Sequence, residues 1–232
     1  MRLLLPLFYL FLMALTGEMK GEETTSSSFD AALKEHIHFN EEGPNVIGHI
    51  IIEDHGTMIN EATWLYVKQA LTYYKQKQPI FIILELNTPG GEVFAAQKIS
   101  DALIELDTQF NIPVLAYINN WAISAGAMLT YSSRFIVTAK DGSLGGAEPI
   151  ISGQNGETVP VSEKYNSVLR ADFANRAQFF GRNPEIAEAM VDKDILLVKR
   201  AGKIMRLEKE DQLTSEDVVI SPKGKLLTLN AQ

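Results

Sequence analysis

From about Asn45 onward, short apolar runs alternate with stretches whose apolar positions recur every three or four residues. Val46 to Ile52 is a β-branched run closed by a turn at Asp54-His55-Gly56. Asn60 to Tyr74 places Trp64, Val67, Leu71 and Tyr74 on one helical face. A strand over Pro79–Leu86 follows, then a helix over Glu92–Leu106 with Val93, Ala96, Ile99, Leu103 and Leu106 inward. Strand Pro113–Ile118, helix Ile123–Tyr131 and strand Arg134–Val137 continue the pattern. Strands that are apolar throughout and alternate with helices predict an α/β fold, a largely parallel sheet covered by helices on both faces. The alternation stops at Ala139. Residues 139–160 are rich in glycine, Ser162 to about Phe180 reads as a helix, and Pro184–Val191 reads as another with Pro184 in its first turn. Leu196–Leu207 and Val218–Leu229 read as two or three strands around charged turns.

The N-terminus follows a different rule. Met1-Arg2 carries one positive charge, Leu3 to Leu15 is apolar apart from Pro6, and Thr16-Gly17-Glu18 ends the run. That core is shorter than the roughly twenty residues of a spanning helix and matches a signal-peptide core. Residues 1–17 are therefore expected to be a signal peptide or N-terminal anchor, which implies export to a periplasmic or other extracytoplasmic location. Residues 18–44 are polar and read as a linker with a short helix over Phe29–His36. The main domain is expected over residues 45–232.

Composition narrows the chemistry. The 232-residue chain is 46% hydrophobic and 22% charged, enough for one sizeable core. Its net charge of −8 supplies no basic stripe, so a nucleic-acid partner is not expected. It has no cysteine, which excludes disulfides, thiolate catalysis and cysteine-ligated metals.

Two turns then stand out. Asn87-Thr88-Pro89-Gly90-Gly91 follows the second apolar strand, and Ile123-Ser124-Ala125-Gly126-Ala127 follows the third. A Gly-Gly turn before a helix can offer N–H groups to a developing oxyanion. A serine between small residues at a helix start allows the close substrate approach that a nucleophile needs. Each turn alone is ordinary; the pair, each after a strand, points to acyl transfer. Serine needs a base. Of the four histidines, His36 and His38 lie in the linker, where a metal site is the alternative use, and His49 sits in an apolar strand. Only His55, ending the first strand, could be borrowed. Lysine is the other base, useful only when desolvation or a neighbouring charge favours the neutral amine. Lys164 follows Val159-Pro160-Val161 and opens a helix bearing Val168, Leu169 and Phe173, while Lys140 sits beside Asp141-Gly142. Composition alone favours an exposed first-turn lysine at 164.

The order Asn-Thr-Pro-Gly-Gly, Ser-Ala-Gly, Gly-Ser-Leu-Gly-Gly-Ala-Glu-Pro-Ile, then Lys164, resembles the NfeD family of membrane-associated serine proteases, relatives of the Clp protease subunit and of signal peptide peptidase A. The resemblance runs from about Asn45 to Asp194 and includes Gly181-Arg182-Asn183 and Met190-Val191-Asp192-Lys193-Asp194. It implies a Clp-protease/crotonase-like fold and a Ser-Lys dyad, with Ser124 on the nucleophile and Lys164 on the general base. It places the N–H groups of Gly91 and Ala125 on the oxyanion hole, with Gly90, Trp121 and Ile123 beside the substrate. It implies no cofactor and no metal. The implied partners are a peptide or membrane-protein substrate, a stomatin-like protein among them, and further copies of the chain. Trp121-Ala122-Ile123 is bulkier than in relatives, and Glu163 is expected to favour the ammonium form of Lys164 and blunt it. Two other readings stay open: a crotonase-like acyl-CoA enzyme, against which stands the lack of a basic patch near Gly90-Gly91, and a non-catalytic scaffold that binds peptides by strand addition.

Overall fold

The computed structural model describes residues 23–53, 58–152 and 157–231. The chain divides into two units, Met1–His38 and Phe39–Gln232. In the first unit, helix α1 (Glu23–His36) starts six residues before the expected Phe29. The proposed signal segment 1–17, His55 and the tip of the glycine-rich region at 153–156 lie outside the described residues.

The second unit opens with β1 (Ile47–Glu53), α2 (Glu61–Lys77), β2 (Phe81–Thr88), α3 (Val93–Phe110), β3 (Val114–Ile123), α4 (Ala125–Tyr131) and β4 (Phe135–Thr138). Strands β1 to β4 pair in parallel, each beside the next in sequence. Every crossover therefore moves in the same direction across the sheet. Right-handed crossovers that never reverse direction put all their helices on one side. The burial pattern agrees: in β2 the buried residues are Ile82, Leu84, Leu86 and Thr88, and their odd-numbered neighbours are only partly covered. The expectation of helices on both faces is thus corrected. Within this unit the helices pack on one face, where Ile50, Leu84, Ala116, Leu103 and Met128 share one core. On the other face Ile47 and Ile51 are half-exposed, and His49 Nε2 lies 2.9 Å from Glu85 Oε2, with Asn119 donating to Glu85 Oε1 at 2.8 Å.

Helix α2 starts on a capping box, Asn60 Oδ1 accepting from the N–H of Ala62 and Thr63, and its tyrosines finish the sheet edge. Strand β1 is the edge strand. Tyr74 Oη accepts from His49 N–H at 2.9 Å and donates to His49 C=O at 3.1 Å, and Tyr66 Oη stands 3.5 Å from Ile51 N. These are outward-facing backbone groups that an edge leaves unpaired.

Strand β3 runs five residues past the expected Ile118, because β5 (Ser143–Gly145) pairs with Trp121–Ile123 after β4 has paired with Leu115–Ile118. Two polar asparagines, Asn119 and Asn120, hide this continuation in the sequence. The glycine-rich region also forms the hairpin of β6 (Ile150–Ser152) and β7 (Thr158–Pro160). Then come α5 (Glu163–Phe179) and α6 (Pro184–Val191), close to expectation. Strands β8 (Leu196–Arg200), β9 (Lys203–Leu207) and β10 (Val218–Ser221) make a small antiparallel sheet, and β11 (Thr228–Asn230) returns to pair with β5.

Charged side chains fix the far end of α4. The part-buried Arg182 donates to the carbonyl of Tyr131, the last residue of α4, at 3.3 Å and to those of Ser133 and Arg134 just beyond it at 2.7 and 2.8 Å. Burial lowers the Arg182 pKa to about 10 and raises that of Tyr131 to about 12. Arg134 grips the buried Asp107 of α3 with its guanidinium, and Arg176 joins α5 to Ser132 and to Asp101 of α3 while pairing with Asp172 on its own helix.

The small sheet depends on one bidentate pair. Arg200 Nε and Nη2 donate to the two Asp217 oxygens at 2.6 and 2.7 Å, and Thr214 N–H adds a third bond at 2.8 Å. Hydrogen bonding to Arg200 holds the Asp217 carboxyl well below the usual carboxylate range. A depressed carboxylate pKa adds stability that is full above the unfolded value of about 3.9 and is lost as pH falls through the folded value. Asp217→Asn should therefore lower the thermal midpoint at pH 7, and its difference from wild type should shrink steadily below about pH 4. Circular-dichroism melts across that range check this; an unchanged gap at low pH would show that the pair contributes through shape alone.

Candidate active site

The nucleophile candidate sits where β3 hands over to α4. Ser124 has φ 56° and ψ −118°, a left-handed conformation unusual for a residue with a side chain. Holding such a residue costs on the order of 1–3 kcal/mol, so its neighbours must enforce it. Ser124 N–H donates to Gly145 C=O at 2.9 Å, and Ser124 C=O accepts from Ala127 N–H at 2.9 Å. Strand β5 thus fixes the serine from one side and α4 from the other. The effect is a sharp elbow, with no cap bond made by the side chain.

The Gly90-Gly91 turn packs directly on this elbow. A Cβ at Gly90 would stand 2.5 Å from Ser124 Cβ and 3.0 Å from Ser124 Oγ, so only glycine fits there. Gly91 bridges to Ile59: Ile59 N–H donates to Gly90 C=O and Glu92 N–H to Ile59 C=O, each at 2.8 Å. That bridge uses the groups flanking Gly91 and leaves the Gly91 N–H outside it. Ala125 is the first residue of α4, so its N–H has no partner within the helix. The starts of α3 and α4 both reach this point, and aligned peptide dipoles favour negative charge there. Two N–H donors beside a serine hydroxyl are the parts of an oxyanion hole.

Beneath the elbow lies a small pocket that opens to solvent. Val93 and Ala96 of α3, Ser124, Ala125 and Met128, Ala147 and Pro149, and Leu169 and Phe173 of α5 line it. None of these side chains titrates. The walls come from distant parts of the sequence, tied together by a backbone bond and an ion pair: Ala147 N–H donates to Met190 C=O at 2.6 Å, and Lys193 Nζ pairs with Glu148 Oε1 at 2.7 Å. The Gly-Ser-Leu-Gly-Gly-Ala-Glu-Pro stretch and the Met-Val-Asp-Lys stretch are thereby one physical unit.

The structure brings Gly90, Gly91, Ser124 and Ala125 together and leaves Lys164 apart. Lys164 is exposed in the first turn of α5 and does not line the pocket. Leu169 and Phe173, which do, lie on the opposite side of the helix from it. Glu163 is not free to act on Lys164 as expected, since its carboxylate accepts from Arg170 Nη2 at 2.8 Å. Trp121 is half-exposed in register with Ser143, and Ile123 packs toward Gly146; neither lines the pocket. Lys140 is exposed. His49 is on the open face of β1, engaged with Glu85. Among the described residues no group of three or more histidine or acidic side chains is placed to hold a metal ion. The residues missed from the sequence are the pocket walls. Leu169 and Phe173, four residues apart, read as an apolar helical pair, but nothing local shows that they line a pocket with Ser124.

Residues 49–221 match the family described as NfeD1b, N-terminal domain. The chain belongs to this family. Gly90, Gly91, Ser124, Ala125 and Lys164 all fall within the matched residues. It is similar to membrane protein NfeD1b of Bacillus subtilis (34% identity over 166 residues, 72% of this chain) and to membrane-bound protease PH1510 of Pyrococcus horikoshii (32% over 143 residues, 60% of this chain). In both cases the match covers 32% of the relative's own length. Among solved structures, a serine-to-alanine mutant of the 1510-N membrane-bound stomatin-specific protease superposes with a TM-score of 0.60 at 29% identity. That match covers 66% of this chain and 72% of the other. A lysine-to-alanine mutant of 1510-N in complex with a substrate peptide gives 0.58 at 24% identity, covering 81% and 89%. The NfeD1b-family chain thus has the Clp-protease-like α/β fold that its motifs implied.

The elbow makes a stability prediction independent of activity. Glycine adopts φ 56° without a Cβ clash, whereas alanine keeps it. Ser124→Gly should therefore be more stable than Ser124→Ala by roughly 1 kcal/mol. Urea unfolding of the two variants measures this; equal midpoints would mean that the serine conformation carries no strain.

Proposed function

We propose that this chain is the proteolytic domain of an exported, membrane-associated peptidase that works through an acyl-Ser124 intermediate. The observation that carries the proposal is the elbow itself: Ser124 at positive φ, against Gly90-Gly91, above an apolar pocket. Ser124 Oγ attacks the scissile carbonyl carbon and gives its proton to the base. The carbonyl oxygen becomes an oxyanion held by the Gly91 and Ala125 N–H groups. The C–N bond then breaks, the amine leaves with the proton returned by the base, and water hydrolyses the acyl-enzyme by the same path. The pocket suits an apolar side chain on the acyl side of the bond.

Lys164 is the proposed base. Catalysis then requires the start of α5 to turn inward from its exposed position, carrying Lys164 toward the pocket that Leu169 and Phe173 of the same helix already line. Tyr165 and Val168 beside it are largely exposed, as are Phe94 and Ile150 near the pocket rim. Covering them in a homo-oligomer is the proposed driving force. Residues 1–17 are proposed as the signal or anchor and 18–44 as the linker. Likeness to relatives named as a membrane protein and a membrane-bound protease supports membrane proximity. A relative named as stomatin-specific supports a stomatin-like membrane protein as substrate. A second reading rests on the absence of any titratable side chain in the pocket wall: a scaffold that binds apolar peptides without cutting them.

A fluorophosphonate probe separates these readings. It should label the wild type and not Ser124→Ala, whose thermal midpoint should stay close to wild type. Labelling should rise on the alkaline side, because an amine base must first lose its proton. Lys164→Ala and Lys164→Arg should both fall by at least about a hundredfold, since arginine cannot deprotonate at useful pH. An inert wild type supports the scaffold, and a dead His55→Ala beside an active Lys164→Ala would transfer the role of base to histidine.

A further inference from the structure

Thr88 ends β2 on the helix-covered face of the sheet and is 1% exposed. Its Oγ1 accepts from Gly90 N–H at 3.1 Å and donates to Gly90 C=O at 3.4 Å. Its methyl group points the other way, into α4: a Cβ added at Gly126 would stand 2.8 Å from Thr88 Cγ2. One buried side chain therefore touches both turns of the site, the glycine turn through its hydroxyl and the serine elbow through its methyl.

The hydrogen-bond inventory of the glycine turn shows what the hydroxyl does. Pro89 has no N–H. Glu92 N–H goes to Ile59 C=O, and Gly90 N–H goes to Thr88 Oγ1. Among the described residues, Gly91 N–H is the donor left over. Without the threonine hydroxyl, Gly90 N–H would be buried and unsatisfied, and a peptide rotation that turned it outward would swing Gly91 N–H away.

We infer that Thr88 is a positioning residue that selects the Gly91 N–H as an oxyanion donor and sets its spacing from the Ala125 N–H. The inference rests on the reading of Ser124 as the nucleophile. Thr88 is buried and touches no substrate, so it acts only through backbone geometry. An oxyanion donor acts on charge that develops in the transition state, so displacing it lowers kcat and leaves KM nearly unchanged. A merely structural threonine would instead lower the melting temperature without that split.

The test uses the full chain with fluorophosphonate labelling, p-nitrophenyl butyrate hydrolysis and thermal melts. Thr88→Val keeps the shape and removes the hydroxyl; its labelling rate and kcat should fall about 10- to 100-fold, with KM within about threefold. Thr88→Ser keeps the hydroxyl and should retain at least about a third of wild-type kcat. Thr88→Cys matches serine in losing the methyl but supplies only a weak acceptor, and should fall with valine. The serine–cysteine comparison decides the matter even if Thr88→Val does not fold. Labelling of Thr88→Val at the wild-type rate, or equal losses in Thr88→Ser and Thr88→Cys, overturns the positioning role. A wild type that does not label at all overturns the Ser124 reading itself, a result distinct from either.

Discussion

Everything at this site depends on how closely two backbone turns approach. Gly90 meets the Cβ of Ser124 at a distance that admits no side chain, and Gly126 meets Thr88 in the same way. These contacts are steric, so they cannot be relaxed by a small shift of one partner. They hold the end of β2 against the start of α4, and the rest of the molecule maintains that pressure. Strand β5 holds the elbow by its N–H, the Ile59 bridge holds the glycine turn, and Arg182 secures the far end of α4. A short seven-residue helix would be a poor anchor by itself. Buried on all sides and tied at both ends, it becomes a rigid support for the serine.

The division of labour between sequence and structure follows from the range of the forces involved. Gly90, Gly91, Ser124 and Ala125 were readable because turn geometry and small side chains are local requirements, written within a few residues. The strands and most helices were readable because periodicity is also local. The sidedness of the sheet was not read from apolar runs, which look alike whether one face or two are covered. It follows instead from strand order, a global property. Likewise β3 outran its apolar stretch because a later strand, Ser143–Gly145, pairs with it across Asn119 and Asn120. Lys164 marks the limit most clearly. Its residue type and order along the chain fit the family pattern, but its distance from Ser124 depends on how α5 docks, and nothing near residue 164 encodes that.

The pocket shows the same contrast in its chemistry. Its wall is assembled from α3, α4, α5 and the loop after β5, and apart from Ser124 it is apolar. Such a lining lowers the local polarity, which strengthens any hydrogen bond made inside the pocket. It also gives a resting serine nothing to surrender its proton to. A chain arranged in this way has the elbow and the two helix starts in place with no acid–base side chain in the described pocket wall.

The tyrosines of α2 have a consequence for how copies of this domain can meet. Tyr74 occupies both the donor and the acceptor of His49 on the outer margin of β1, and Tyr66 stands by the next N–H along. A strand from another molecule would find those positions already filled. The main sheet therefore resists extension across this border into a continuous intermolecular sheet. In a domain with a half-open apolar sheet face next to that border, the two phenols act as a guard against templated aggregation.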